Sequence, residues 1–181
     1  MAQKINIVGW FLGILCLASC ENDLAEVQNL FNYPDPEIEL IIEPVITYSD
    51  SGIVKTKIYA PELHRQAAVT NGTDIFPKGV SAEFFNKGQY VESWLDAEYG
   101  ENRRSKSEIF VSGNVHLYNL EGDTLKAEDL IWDQKENILT TEKYVRIQTA
   151  GKLIYGFGFR SKDDFSEWEI KAMKGSVDVE D

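Results

Sequence analysis

The chain has little cysteine, histidine or positive charge. Its two cysteines, Cys16 and Cys20, fall in the first twenty of 181 residues, and none follows. A body without thiols has no disulfide framework and no thiolate metal site, so its fold rests on an apolar core. The two histidines, His64 and His116, stand alone, with no HxH, HExxH or calcium-loop spacing around them. That leaves no pattern for a metal. No GxSxG elbow accompanies them, and nothing pairs a nucleophile with a base. Thirty acidic residues against eighteen basic give a net charge of −12. Nucleic acid is excluded as a partner, because its binding depends on neutralising phosphates. A polybasic membrane patch is excluded on the same ground. No apolar run reaches the roughly 20 residues that span a bilayer as a helix. Five prolines are present, none after Pro77, so the C-terminal strands carry no proline to block edge pairing.

What is present begins with an export signal. Lys4 precedes a mostly apolar stretch from Ile5 to Ala18, which ends in small residues. Charge, length and ending fit a secretory signal peptide. Leu17-Ala18-Ser19-Cys20 resembles the lipobox of bacterial lipoproteins, in which the cysteine becomes the acylated first residue. Residues 1–19 are expected to leave as a lipoprotein signal, with Cys20 as the lipid attachment site. Residues 20–37 then form a lipid-anchored tether. A short apolar stripe there (Leu24, Val27, Leu30, Phe31) runs into Asn32-Tyr33-Pro34-Asp35-Pro36, which cannot continue a helix.

From Ile38 the pattern has period two. Val54, Thr56, Ile58 and Ala60 form one row; Val91, Ser93, Leu95 and Ala97 another; Ile109, Val111, Gly113, Val115 and Leu117 a third; Val145, Ile147 and Thr149 a fourth. Each alternates with outward polar partners, as half-buried antiparallel strands require. Turn signals separate the runs at Ser49-Asp50-Ser51-Gly52, Asn86-Lys87-Gly88, Glu121-Gly122-Asp123, Lys135-Glu136-Asn137 and Ala150-Gly151-Lys152. Short strands at such spacing indicate an all-β sandwich or barrel over residues 38–181. Gln66 to Gly79 is weakly patterned and reads as a loop. A faint internal echo, GNVHL at 113–117 and GSVDV at 175–179, suggests a sheet extended by similar strands.

Carboxylates invite comparison with glycosidases. Glu92, Asp96 and Glu98 read as one strand face and Glu128-Asp129 are adjacent, but they lie among lysines on solvated positions. Trp94, Trp132 and Trp168 could platform a sugar, although Trp132 and Trp168 continue apolar patterns. The chain therefore reads as non-enzymatic, without cofactor or metal. One reading of these residues, kept as the alternative to the one that follows, is a lipid-anchored outer-membrane β-sandwich that binds glycan on Trp94.

One family unites these features. The stretches YSDSGIVKTKIYAPE, FPKGVSAEFFNKG, SWLDAEYGE, VSGNVHLYNLEGDTLKAEDLIWDQKENILTTEKYVRIQ, IYGFGFRSKDDFSEWEI and KGSV resemble the LptC component of the lipopolysaccharide export machinery. The resemblance runs from Ser49 to Val179. It implies an open antiparallel β-jelly roll, the folded sheet shared with LptA-like bridge proteins. It also implies a Gram-negative periplasmic protein that takes lipopolysaccharide from an inner-membrane ABC transporter and passes it to the bridge. Acyl chains would ride in an apolar groove walled by Val54, Ile58, Val80, Phe84, Leu95 and Val111, with Val115, Leu117, Leu125, Val145 and Ile147 completing it. The resemblance assigns the first strand region, Ile38 to Tyr48 with Ile38, Leu40 and Ile42, to the transporter. It assigns the last strands, Trp168 to Ala172 and Gly175 to Val179, to the bridge, through Trp168, Ile170, Ala172, Gly175, Val177 and Val179. Better-known members carry an N-terminal transmembrane helix where this chain offers a lipobox. Glu21 after the cysteine leaves the choice of membrane open; the resemblance implies the periplasmic face of the inner membrane.

Overall fold

The computed structural model describes residues 38–66 and 72–178. Among them are thirteen strands and no helix. In chain order these are β1 (Ile38–Ile42), β2 (Val45–Asp50), β3 (Ile53–Tyr59), β4 (Glu62–Gln66), β5 (Thr73–Phe76), β6 (Val80–Phe85) and β7 (Val91–Ala97). There follow β8 (Tyr99–Arg103), β9 (Glu108–Asn119), β10 (Thr124–Asp133), β11 (Ile138–Thr149), β12 (Lys152–Lys162) and β13 (Trp168–Asp178).

All pairings are antiparallel and the strands make one open sheet with a branch. The branch point is β9. Its first half, Glu108 to Ser112, pairs with β8, while His116 to Asn119 pair with β7 on the same side. Two arms therefore leave one edge of β9: β8-β5-β4-β1 and β7-β6-β3-β2. On its other edge β9 is followed by β10, β11, β12 and β13, which serve both arms.

The long strands reach both arms because each is bent near its middle. Pairing registers slip between Ala127 and Asp129, between Thr141 and Tyr144, and between Tyr155 and Gly156. Bulges of this kind turn strands from one layer into the next. On β9 the bend falls at Gly113 (φ 81°) and Asn114 (φ 44°). A Cβ on Gly113 would come within 2.9 Å of the Glu98 carboxylate, a flexible side-chain end, so it is the left-handed backbone conformation that favours glycine there.

The sheet is thereby folded into two leaves with their apolar faces together. Trp132 on β10 meets Tyr48 of β2 and Phe84 of β6 edge-on, at 5.7 and 5.4 Å between ring centroids. The core joins residues of both arms, among them Leu63 and Phe76 from one and Ile58, Phe84 and Leu95 from the other. Alternation along each strand produces this, since every second residue faces the opposite leaf.

Two sequence readings need correction. The stretch from Gln66 to Gly79 is not all loop, because Thr73–Phe76 is strand β5, paired with β4 and β8. Its inward residues are Asp74 and Phe76, and an acid at an inward position broke the apolar period that marks a strand. The two expected C-terminal strands are one, β13, with a bulge at Lys174 where Tyr155 faces Gly175 and Gly156 faces Met173. The N-terminal region, by contrast, divides into β1 and β2 at Glu43-Pro44, since proline cannot donate to a ladder.

Candidate functional site

The interior between the leaves is lined by the rows seen in the sequence. Leu117, Leu125, Val145 and Ile147 are fully buried, and Ile58, Val80, Phe84, Leu95, Val111 and Val115 nearly so. Val54, the remaining predicted wall residue, is half-buried. Its backbone N–H and C=O are both bonded by the Gln89 side-chain amide, at 3.3 and 3.1 Å. Ten of the eleven thus share one interior, drawn from β3, β6, β7, β9, β10 and β11. That interior is closed by side chains packed from both leaves.

Two seams hold it shut. At the β2 side, β1 pairs only with β4 and β2 only with β3, so no strand ladder joins these two edges. Contact there runs through Tyr48. Its hydroxyl oxygen accepts from Asn102 Nδ2 of β8 at 3.3 Å, and its ring meets Trp132. Burial pushes the Tyr48 phenol above its ordinary value. Asn102 also donates to Asp74, 2% exposed, whose carboxylate is flanked by Arg65 and Arg104 at 3.4 and 3.5 Å. A buried carboxylate needs such partners.

The second seam is the turn between β12 and β13. Ser93 of β7 donates its hydroxyl to the Asp163 carbonyl at 2.9 Å, and Asp163 N–H donates to Asn137 C=O at 3.1 Å. Phe165 in this turn is fully buried against Phe159, 6.1 Å between centroids, with φ at 57°. Positive φ in a bulky residue is strained and persists only where surroundings over-determine it. The aromatic ring therefore closes this end of the interior. Burial pushes the Asp163 carboxyl up to about 6, and the neighbouring Asp164 charge adds to the rise. Ser93 was placed in an inward row, but Phe165, Asp163 and Tyr48 were given no role of their own in the sequence. An Asp-Asp before an aromatic and a serine was the available signal, because Asp164 Oδ1 caps the turn by accepting from Ser166 N–H at 2.9 Å.

The edges carry exposed apolar side chains. On β1, Leu40 and Ile42 face outward while Ile41 packs on the core; Ile38 is half-buried. On β13, Trp168 and Ile170 pack partly on the core, and Ala172 and Val177 are exposed. Gly175 lies under Tyr155, whose hydroxyl would stand 2.5 Å from an added Cβ. Cys20 and Val179 lie outside the described residues.

The carboxylates weighed for catalysis each hold a separate polar partner. Asp96 accepts from the Ser81 hydroxyl at 2.6 Å, Glu92 from Asn86, and Glu98, past the end of β7, from Asn114. Glu92 and Asp96 share the less buried face of β7, and Glu98 follows at the bend beyond the strand. Trp94 spends a ring face on Tyr118, stacked at 5.4 Å and 13°, which leaves a poorer sugar platform than the sequence suggested. Among the described residues no cluster of histidine, cysteine or carboxylates could hold a metal. No helix among them is long and apolar enough to cross a membrane.

An open antiparallel sheet folded over an apolar interior, with bare strand edges, is the arrangement expected of the LptC-related lipopolysaccharide-assembly family, and that family matches residues 36–178. The chain belongs to it. Among curated proteins none matches. Membership makes the chain a transport component of lipopolysaccharide assembly, associated with the periplasmic side of the inner membrane.

Proposed function

We propose that this LptC-family chain accepts lipopolysaccharide from an inner-membrane ABC transporter, shelters its acyl chains between the two leaves, and passes it to an LptA-like periplasmic bridge. The reading rests on one observation: the leaves meet at the β1/β2 side through side chains, with no strand ladder to break. Parting them there gives up few directional bonds. An acyl chain then gains about 0.8 kcal/mol per CH₂ removed from water. Because the walls are apolar and non-directional, the same chain can leave when the next carrier offers an equal surface. The chain performs no reaction in this role, and energy comes from the transporter.

Docking uses the unpaired edges. β1 and β2 face the transporter and β13 faces the bridge, each by addition of a strand. Acylation at Cys20 holds the protein at the periplasmic face of the inner membrane, with residues 20–37 as tether; more than one acyl chain gives a lasting hold. The test is photocrosslinking in cells with a crosslinker at Val54, Val115 or Leu117, and at outward Asn114 and His116 as controls. Lipopolysaccharide adducts at the inward positions alone are expected. Absence of adducts at all five, with the protein folded and at normal level, refutes the carrier role.

A further inference from the structure

Among the described residues three buried polar atoms have no hydrogen-bond partner: Trp132 Nε1, Thr56 Oγ1 and Gln134 Nε2. Trp132 is 5% exposed and its Nε1–H has no hydrogen-bond acceptor; Thr56 is fully buried and its Oγ1 has no partner. Buried indole N–H groups and hydroxyls are nearly always bonded, and an unpaired one raises the free energy of the state that holds it. Trp132 and Thr56 belong to one place. Thr56 lies in the inward row between Tyr48, its partner on β2, and Phe84, its partner on β6. Both of those rings meet the Trp132 ring edge-on, at 88° and 90°. The indole is thus locked by two perpendicular aromatics, on the leaf opposite Thr56.

Trp132 and Tyr48 also line a cavity of about 260 Å³ at the β2 seam, together with Gln134, Lys55, Lys135 and Asp50. It is several times the roughly 30 Å³ share of one water, yet too small for a set of acyl chains. Its lining sets the Lys55 and Lys135 ammonium groups against the single Asp50 carboxylate, and Tyr48, Ser49, Gln134 and Asn137 add groups that both donate and accept. Valine would fill the place of Thr56 equally well without a hydroxyl, so the interior carries polar atoms that packing does not require.

We propose that this cavity is the subsite for the acceptor-bearing junction of the carried amphiphile, the carbonyl and phosphate oxygens where acyl chains join an acylated phosphosugar. This rests on the carrier reading. Trp132 Nε1 and Thr56 Oγ1 are shut off from solvent while the leaves are together. Parting the leaves to admit acyl chains uncovers them, and ester, amide or phosphate oxygens then accept from both, with Lys55 and Lys135 beside the anionic head. The empty closed state keeps two unpaired groups that the loaded state satisfies. Loading is favoured for lipids that carry such oxygens and not for apolar chains in general. The β2 end of the interior therefore takes the head of the lipid, and the chains extend along the rows from Ile58 towards Leu117.

The test uses the full acylated chain in a peptidisc prepared without added phospholipid, labelled with ¹⁵N at tryptophan. The Trp132 indole resonance is assigned by its loss in Trp132→Phe. A short-chain acylated glucosamine phosphate is titrated in, and separately dodecyltrimethylammonium, which has an alkyl chain but no oxygen acceptor. A shift of the Trp132 N–H resonance is expected with the phosphosugar alone. Thr56→Val should leave the fold as stable or more so, yet weaken the phosphosugar about 5- to 10-fold, the worth of one hydrogen bond. Binding of the ammonium probe should not change. An unmoved indole resonance, or unchanged phosphosugar affinity in Thr56→Val while the probe still binds, overturns the subsite and leaves the carrier role standing. If neither probe binds, the carrier role fails and the subsite falls with it.

Discussion

Replacing Asp163 by asparagine isolates the electrostatics of the seam that closes the interior. The carboxyl sits in the β12–β13 turn, where burial and Asp164 raise it from 3.8 to about 6. A folded-state value above the unfolded one means that the native protein holds the proton more tightly. Its contribution to stability is full below about pH 4 and is lost as pH rises through about 6. A rise of about two units corresponds to a ceiling of about 3 kcal/mol, at about 1.4 kcal/mol per unit. The side chain is partly solvated, which lowers the expected effect to about 1–2 kcal/mol. Asparagine keeps the shape and both backbone bonds, to Ser93 and Asn137, but never ionises. Urea unfolding of the two proteins from pH 4 to pH 8 gives the difference directly. Equal stability is expected at pH 4, with Asp163→Asn more stable by about 1–2 kcal/mol at pH 7.5. Other carboxylates cancel in the comparison. One of these is Glu62, which its hydrogen bonds to His64 and Lys78 lower. A difference that does not change with pH refutes the claim that a buried charge loosens this seam.

Phe165→Ala removes the ring that fills the same end, with an expected cost of about 3–5 kcal/mol in urea unfolding; a loss below 1 kcal/mol shows that the ring closes nothing. Gly156→Ala brings a Cβ within 2.5 Å of the Ala172 carbonyl. It should release amide protection along β12 and β13 in hydrogen exchange while β3 and β6 stay protected. Tyr48→Phe deletes the hydroxyl that joins β2 to Asn102, so exchange in β2 should quicken several-fold with global stability down by about 1 kcal/mol. Exchange at the wild-type rate means that the β2 seam is held by packing alone.

The bare edges carry a hazard as well as a role. Exposed Ile42 and Val177, 61% and 53% accessible, sit on strands with a free ladder side. Such edges invite pairing with any extended chain. Edge charge blunts this in part: Lys171, whose Nζ bonds Glu142, and Glu169 and Asp178 on β13.

Much of this protein was legible in order along the chain. Alternation at Ile109, Val111, Val115 and Leu117 fixed the strand and its inward face, because period two is a local property of the pleat. Turn residues fixed where the strands end, and the run of matched stretches named the family. The interior walls followed, since an inward apolar row has nowhere to go but the core. Three things depended on the tertiary structure. Asp74 is buried only because Arg65, Arg104 and Asn102 converge on it from separate segments. Phe165 became a core residue through a turn that reaches β7 across seventy positions of sequence. Trp132 and Thr56 read as ordinary members of their rows until the folding of the sheet set them in opposite leaves around the same two rings. A strand records which face is inward; which inward atoms meet, and which are left without a partner, is decided when distant strands close over each other.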